Sequence, residues 1–119
     1  MSSETTFFRQ AGRQRARLRQ QALAERRERA WAVAHRGAAL LRETFGANRV
    51  VLFGSLAAGR TFDERSDVDL VAWGLEERVY LRAISWLLDL DPTIPVDLLR
   101  GEELPEAIRA HIEEEGQPL

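Results

Sequence analysis

Two aspartates two residues apart, Asp67 and Asp69, close a stretch that opens on Gly54-Ser55, with an apolar run on each side of it. A third carboxylate, Asp97, lies in a later apolar run, Ile94-Pro95-Val96-Asp97-Leu98-Leu99. Residues two apart on a strand project to the same face, so Asp67 and Asp69 point together while Val68 and Leu70 point into a core. Two like charges roughly 7 Å apart on an apolar strand raise each other's pKa unless something neutralises them. A divalent cation with a preference for oxygen ligands, magnesium above all, would do so. Asp97, alternating with Val96 and Leu98, can join the pair from a neighbouring strand. Three carboxylates can bridge two metals roughly 3.5–4 Å apart, an arrangement suited to in-line displacement at phosphorus.

The Gly-Ser turn adds the other half of such a site. Glycine lets a backbone come close to phosphate oxygens, successive N–H groups form an anion nest, and Ser55 supplies a hydroxyl donor. Each part has a plainer use when it stands alone. Asp-x-Asp also serves as a solvated strand end or a helix cap, and Gly-Ser after a strand is a common tight turn. Their conjunction is what points to metal and nucleoside triphosphate.

Those residues need strands to hold them. Arg49–Gly54 and Asp67–Trp73 read as short buried strands by length and β-branched content. No helix pattern intervenes between them, which favours antiparallel pairing. Glu76–Leu90 carries apolar residues largely on one face and acids at its start, and reads as a helix. Val96–Leu99 follows as a third strand, and Glu103–Glu114 as a last helix with Pro105 near its first turn. Ahead of all these, Ala30–Phe45 reads as a helix packed on the domain, stopped by Gly46. Gln10–Arg29 reads as an arginine-rich extension of it or a separate helix, and residues 1–8 as a frayed end. The order α-β-β-α-β-α implies a small mixed α/β sheet flanked by helices. The division expected is an arginine-rich helical extension over residues 1–29 and one domain over 30–119.

At 119 residues the chain has room for one domain with a modest core and one extra helix. It contains no cysteine, which excludes disulfides, thiolate zinc sites and a thiol nucleophile. His35 and His111 lie far apart, on helices without carboxylates at ligand spacing, so packing or surface roles are expected. Trp31, Trp73 and Trp86 fit apolar faces as core or interface anchors. No apolar run approaches the roughly 20 residues of a membrane span, and the N-terminus lacks the apolar stretch of a secretory signal. A cytoplasmic protein without membrane contact is expected.

The net charge of −2 conceals an asymmetry: residues 1–45 carry ten arginines against four glutamates, residues 46–119 seven arginines against fifteen acids. All seventeen cationic side chains are arginine. The stretch Arg13–Arg29 suits either a nucleic-acid backbone or a partner-binding or solvated helix face. Interleaving with Gln, Ala and Glu rather than aromatics, and the acidic half that follows, favour the second use.

Gly54-Ser55 followed by Asp67-x-Asp69, flanked by Val-Val-Leu-Phe and Leu-Val-Ala, resembles the nucleotidyltransferase superfamily that includes DNA polymerase β. The chain is similar above all to its minimal nucleotidyltransferases, single small domains, and among those to antitoxins of the MntA type. The resemblance covers roughly Ala30 to Leu119. It implies a nucleotidyltransferase fold, two magnesium ions on Asp67, Asp69 and Asp97, and Gly54 and Ser55 on the triphosphate of ATP. It implies transfer of AMP to a hydroxyl of a partner protein, a HEPN-family toxin, which the transfer silences. Asp97 would then be general base or a ligand of the nucleophile's metal, and Arg60 and Arg65 could neutralise the leaving pyrophosphate. The sequence departs from the family pattern in two places. Eleven residues separate Ser55 from Asp67, one more than usual, and Ala58 stands where the family often has an arginine. Transfer to a nucleic acid or a small molecule, and a non-catalytic module that binds nucleotide and partner, remain as alternatives.

Overall fold

The structure, a computed structural model, describes residues 3–119. Its longest element is α1, Ser3–Glu43, a single helix of 41 residues. At 1.5 Å per residue it is about 60 Å long, which accounts for most of the 66 Å long axis of the molecule. The frayed end expected over residues 1–8 is corrected for Ser3–Phe8, which are helical; Met1 and Ser2 lie outside the described residues. The extension is not a separate helix either. Ala, Arg, Gln, Glu and Leu are strong helix formers, and nothing between Gln10 and Arg29 stops the helix before it reaches the packed half.

That packed half begins at Arg26 and runs through Ala30, Val33, Ala34, Gly37, Ala38 and Leu41, all buried. Small residues bring this helix close to the sheet. A Cβ added at Gly37 would lie 3.0 Å from Leu87 Cδ2 and 3.3 Å from Leu70 Cδ1, so a larger side chain would force α1 away from its neighbours. The helix ends at Glu43, and Gly46 follows with φ +80°.

The remaining elements are β1 (Arg49–Phe53), the one-turn α2 (Gly54–Ala57), β2 (Val68–Trp73), α3 (Glu77–Leu88), β3 (Val96–Arg100), α4 (Glu106–Glu115) and β4 (Gln117–Pro118). The sheet order is β3-β2-β1-β4. β1 and β2 are antiparallel, as the sequence implied, and β2 and β3 are parallel, linked by the α3 crossover. β4 was not expected. It pairs antiparallel with β1 through Val51↔Pro118 and Leu52↔Gln117, and the Leu119 N–H donates to the Val50 carbonyl at 3.0 Å. The result is the small mixed sheet flanked by helices that the sequence implied.

Strand alternation divides the sheet into two faces. Val50 and Leu52 of β1, Val68, Leu70 and Ala72 of β2, and Val96 and Leu98 of β3 share the large core with α1 and α3. Val51 and Val71 face the other way and meet Ile112 of α4 in a smaller cluster edged by Phe53, Trp73 and Leu104. No described helix is long and apolar enough to cross a membrane.

Candidate active site

The second face of the sheet is where the three aspartates come together. Asp69 of β2 and Asp97 of β3 are register partners across the parallel pair, and Val68↔Val96 and Leu70↔Leu98 flank them as buried pairs. The alternation that buries those valines and leucines necessarily turns Asp69 and Asp97 to the opposite face. Asp67 directly precedes β2, one residue outside the strand expected to begin with it, and lies two residues from Asp69. α4 covers the apolar end of this face, and the acidic end is open: Asp67 is partly exposed, Asp69 half-buried, and Asp97 exposed.

Gly54 closes the site from the β1 side. Phe53, the last residue of β1, is the register partner of Asp69, and Gly54 follows with φ +79°. A Cβ at Gly54 would run into Asp69 Oδ2. Glycine is therefore required twice over, for its left-handed backbone and for the approach of that backbone to the carboxylate. Ser55 follows in the first turn of α2, whose chain is held by Ala58 N–H to Gly54 O at 3.0 Å and Arg60 N–H to Ser55 O at 3.0 Å. Gly54 and Ser55 thus stand beside the aspartates, as their sequence order alone did not guarantee.

The electrostatics are those of an uncompensated acidic cluster. The Asp69 carboxyl is raised from 3.8 to about 6, by burial first and then by the charges of Asp97 and Asp67. Among the described residues, none of the three carboxylates has a hydrogen-bond or ion-pair partner. The donor set is all oxygen and carries excess negative charge, which suits magnesium in type and sign. Among the described residues, no three His, Cys, Asp or Glu side chains form a group that could hold a metal ion.

Arg60 and Arg65 are exposed. The Arg60 carbonyl accepts from Arg27 Nη1 at 3.2 Å, and the Arg65 N–H donates to Asp63 Oδ1 at 2.9 Å. The groove lined by Arg36, Leu40, Trp86, Asp89 and Leu90 includes none of Asp67, Asp69 and Asp97. Trp73 packs so closely over Gly101 that no Cβ would fit there, and Arg49 lies over its ring at 4.3 Å. Trp86 is 48% exposed and meets Phe45 edge to face. His35 stacks on Trp31, and His111 pairs with Glu115, neither of them beside the aspartates.

Sequence reasoning missed Arg26. It reads as one more arginine in a basic stretch, yet it is only 9% exposed. Its guanidinium reaches the loops that lead into both β2 and β3. A signal was present: Arg26 continues the buried stripe of Ala30, Val33 and Gly37 at helical spacing, so a charge stood in a core-facing position.

The sequence matches no protein-family model and no curated protein. Solved structures do resemble it. Two are of the toxin–antitoxin MntA–HepT. The mutant form aligns with TM-score 0.60 at 17% identity over 71% of this chain and 70% of that one. The other has TM-score 0.55 at 16% identity over 74% and 69%. A third, described as a candidate minimal nucleotidyltransferase, has TM-score 0.53 at 29% identity over 83% of this chain and 94% of its own. The MntA–HepT likenesses speak for the fold, and the third spans nearly the whole of its own chain at the highest identity of the three. Strand order and these likenesses together give the chain the fold of the minimal nucleotidyltransferases it resembles.

Proposed function

We propose that the protein transfers a nucleoside monophosphate, AMP from ATP, to a hydroxyl of a partner protein, and that the partner is a HEPN-family toxin for which this chain is the antitoxin. The observation that carries the reading is the contact of the Gly54 backbone with Asp69, on a sheet face where Asp69 and Asp97 are in register. A phosphate-approaching turn and three carboxylates then border one open surface. The MntA–HepT likenesses support the toxin–antitoxin setting.

Asp67, Asp69 and Asp97 would hold the magnesium. When bound, the metal supplies positive charge at the phosphoryl oxygens and lowers the pKa of the acceptor hydroxyl. The rest falls to the chain. The Gly54 backbone admits the triphosphate close to β1, and the Ser55 hydroxyl donates to a phosphate oxygen. Asp97, the most exposed of the three, accepts the proton of the incoming hydroxyl. The hydroxyl oxygen bonds to the α-phosphorus as the bond to pyrophosphate breaks, so the products are the modified acceptor, pyrophosphate and one proton. The half-buried setting of Asp69 would strengthen its interaction with any cation that arrives.

The test is intact-mass spectrometry of a partner candidate after incubation with this protein, ATP and magnesium. The candidate to choose is the product of a neighbouring gene that encodes a small helical protein with an Arg-x4-6-His motif. The expected result is a mass increase of one or more AMP units, lost with Asp67→Asn plus Asp69→Asn. Tight binding without any mass change would replace transfer by steric inhibition.

A further inference from the structure

The loops that deliver the three aspartates are separate in sequence, and one side chain joins them. Arg26 Nε donates to the Asp63 carbonyl at 2.9 Å, Nη2 to the Ser66 carbonyl at 3.3 Å, and Nη1 to the Thr93 carbonyl at 2.7 Å. The first two carbonyls belong to the turn that ends at Asp67. The third belongs to the turn that leads into β3 and Asp97. Phe62 covers the guanidinium, 5.6 Å from its ring centroid. Each turn is built by its own aspartate: Asp63 Oδ1 accepts from Arg65 N–H and Ser66 Oγ, and Asp91 Oδ1 from Thr93 N–H and Oγ1. What neither turn supplies is its position relative to the other. Beyond the turns themselves the strands are joined by the parallel β2–β3 ladder, which opens with the Val68 N–H donating to the Pro95 carbonyl at 2.9 Å, and Arg26 adds a side-chain link just ahead of it.

We infer that Arg26 is a positioning residue: its guanidinium sets the spacing between the strand start that carries Asp67 and Asp69 and the one that carries Asp97. A buried charge is costly unless hydrogen-bonded, and no carboxylate lies within ion-pair distance of this one among the described residues. Carbonyl oxygens satisfy it instead, and the planar fork of a guanidinium can reach three at fixed angles where an ammonium cannot. The guanidinium thus meets both turns through carbonyl oxygens, and its charge also acts through space on Asp91 of the second turn. Its consequence for chemistry rests on the reading of the three aspartates as metal ligands. Groups that orient the ligands of a metal typically change affinity or activity by about 10–100-fold when removed.

The experiment compares Arg26→Lys and Arg26→Met with the unaltered chain and with Ile112→Val, a control that loosens the small core at the other end of the sheet. Three quantities are read: amide hydrogen exchange at Val68 against Leu52, Mn2+ affinity by calorimetry, and kcat and KM for ATP in the transfer assay. Both Arg26 variants should speed exchange at Val68 about tenfold or more relative to Leu52. They should weaken Mn2+ binding about 10–100-fold and lower kcat by a similar factor. KM for ATP should stay within about twofold, because Gly54 and Ser55 hang from β1 outside the clamp. Arg26→Lys keeps the charge and loses the fork, so it separates geometry from electrostatics. Unchanged exchange at Val68 in both variants, or equal losses in a stability-matched Ile112→Val chain, would overturn the inference. If the unaltered chain binds no Mn2+ and transfers nothing, the functional reading fails, and exchange at Val68 still decides whether Arg26 joins the two turns.

Discussion

One face of one sheet ends in two opposite ways. At the end under α4, Val51 and Val71 meet Ile112 in a closed apolar contact. At the other end the same strands present Asp69 and Asp97 in register, half-buried or exposed, with no partner to balance them. Strands that alternate faithfully along their length can serve stability at one end and bear its cost at the other. Local rules broken without visible compensation mark functional sites, and here the uncompensated residues are the ones whose types fit phosphoryl chemistry.

Substitution at each end should separate the two roles. Asp69→Asn should lower transfer by about 10³-fold, the upper range for removing one preorganised charge. In metal-free buffer it should leave thermal stability unchanged or raised, since the charge it removes is held unfavourably. Ile112→Ala should do the converse. Ile112 is 2% exposed, and the cavity left behind should cost about 2–4 kcal/mol in urea unfolding, with little change in kcat per folded molecule. Loss of kcat in the second, or loss of stability in the first, would show that the two ends are not independent.

The two ends also differ in how far they could be read from the chain. The acidic end was legible because its signals are local. Apolar runs with turn residues between them placed β1, β2 and β3, and the two-residue spacing of Asp67 and Asp69 fixed their common side. The partnership of Asp69 with Asp97 required a register that no spacing determines. The apolar end was half legible: Ile112 showed as a helix residue, whereas β4 spans only Gln117–Pro118, too short for alternation to register. Two further features escaped because their cause is not periodic. Ser3–Phe8 are helical by continuation of a long run of strong helix formers. Arg26 is buried by carbonyls from two distant loops, and composition counts it with the exposed arginines around it.

Gly54 sharpens the comparison at the acidic end. Gly54→Ala imposes a left-handed backbone on a residue with a Cβ, a cost of about 1–2 kcal/mol, and sets that Cβ against Asp69 Oδ2. The carboxylate must move. Stability should fall by that modest amount in urea unfolding, while kcat falls by about tenfold or more, a disproportion expected when a contact positions a reacting group. A drop in stability with transfer intact would mean that the Asp69 carboxylate is free to find its working position without the glycine.

The smallest effect is the most diagnostic of charge. Asp69 has a folded-state pKa of about 6 against an ordinary value of 3.8. A raised carboxyl pKa favours the folded state while the group is protonated, so its contribution is present below about pH 4 and is lost as pH rises through 6. Asp63, Asp91 and Glu113 are shifted the other way, mainly by hydrogen bonds from Arg65, Thr93 and Arg49 respectively. Their stabilisation is present above their ordinary carboxylate values and is lost as pH falls through their lowered ones, so it changes in the acid range. The window from about pH 5 to 7 is left to Asp69 among these four carboxylates. In chelator-treated protein, stability should decline across that window by about 1 kcal/mol, allowing for the solvent screening of a half-exposed group. The decline should vanish in Asp69→Asn and reverse when magnesium is added, because a bound cation favours the ionised carboxylate. A chelated protein whose Asp69→Asn variant shows the same slope would place the pH dependence elsewhere and leave the acidic end electrostatically inert.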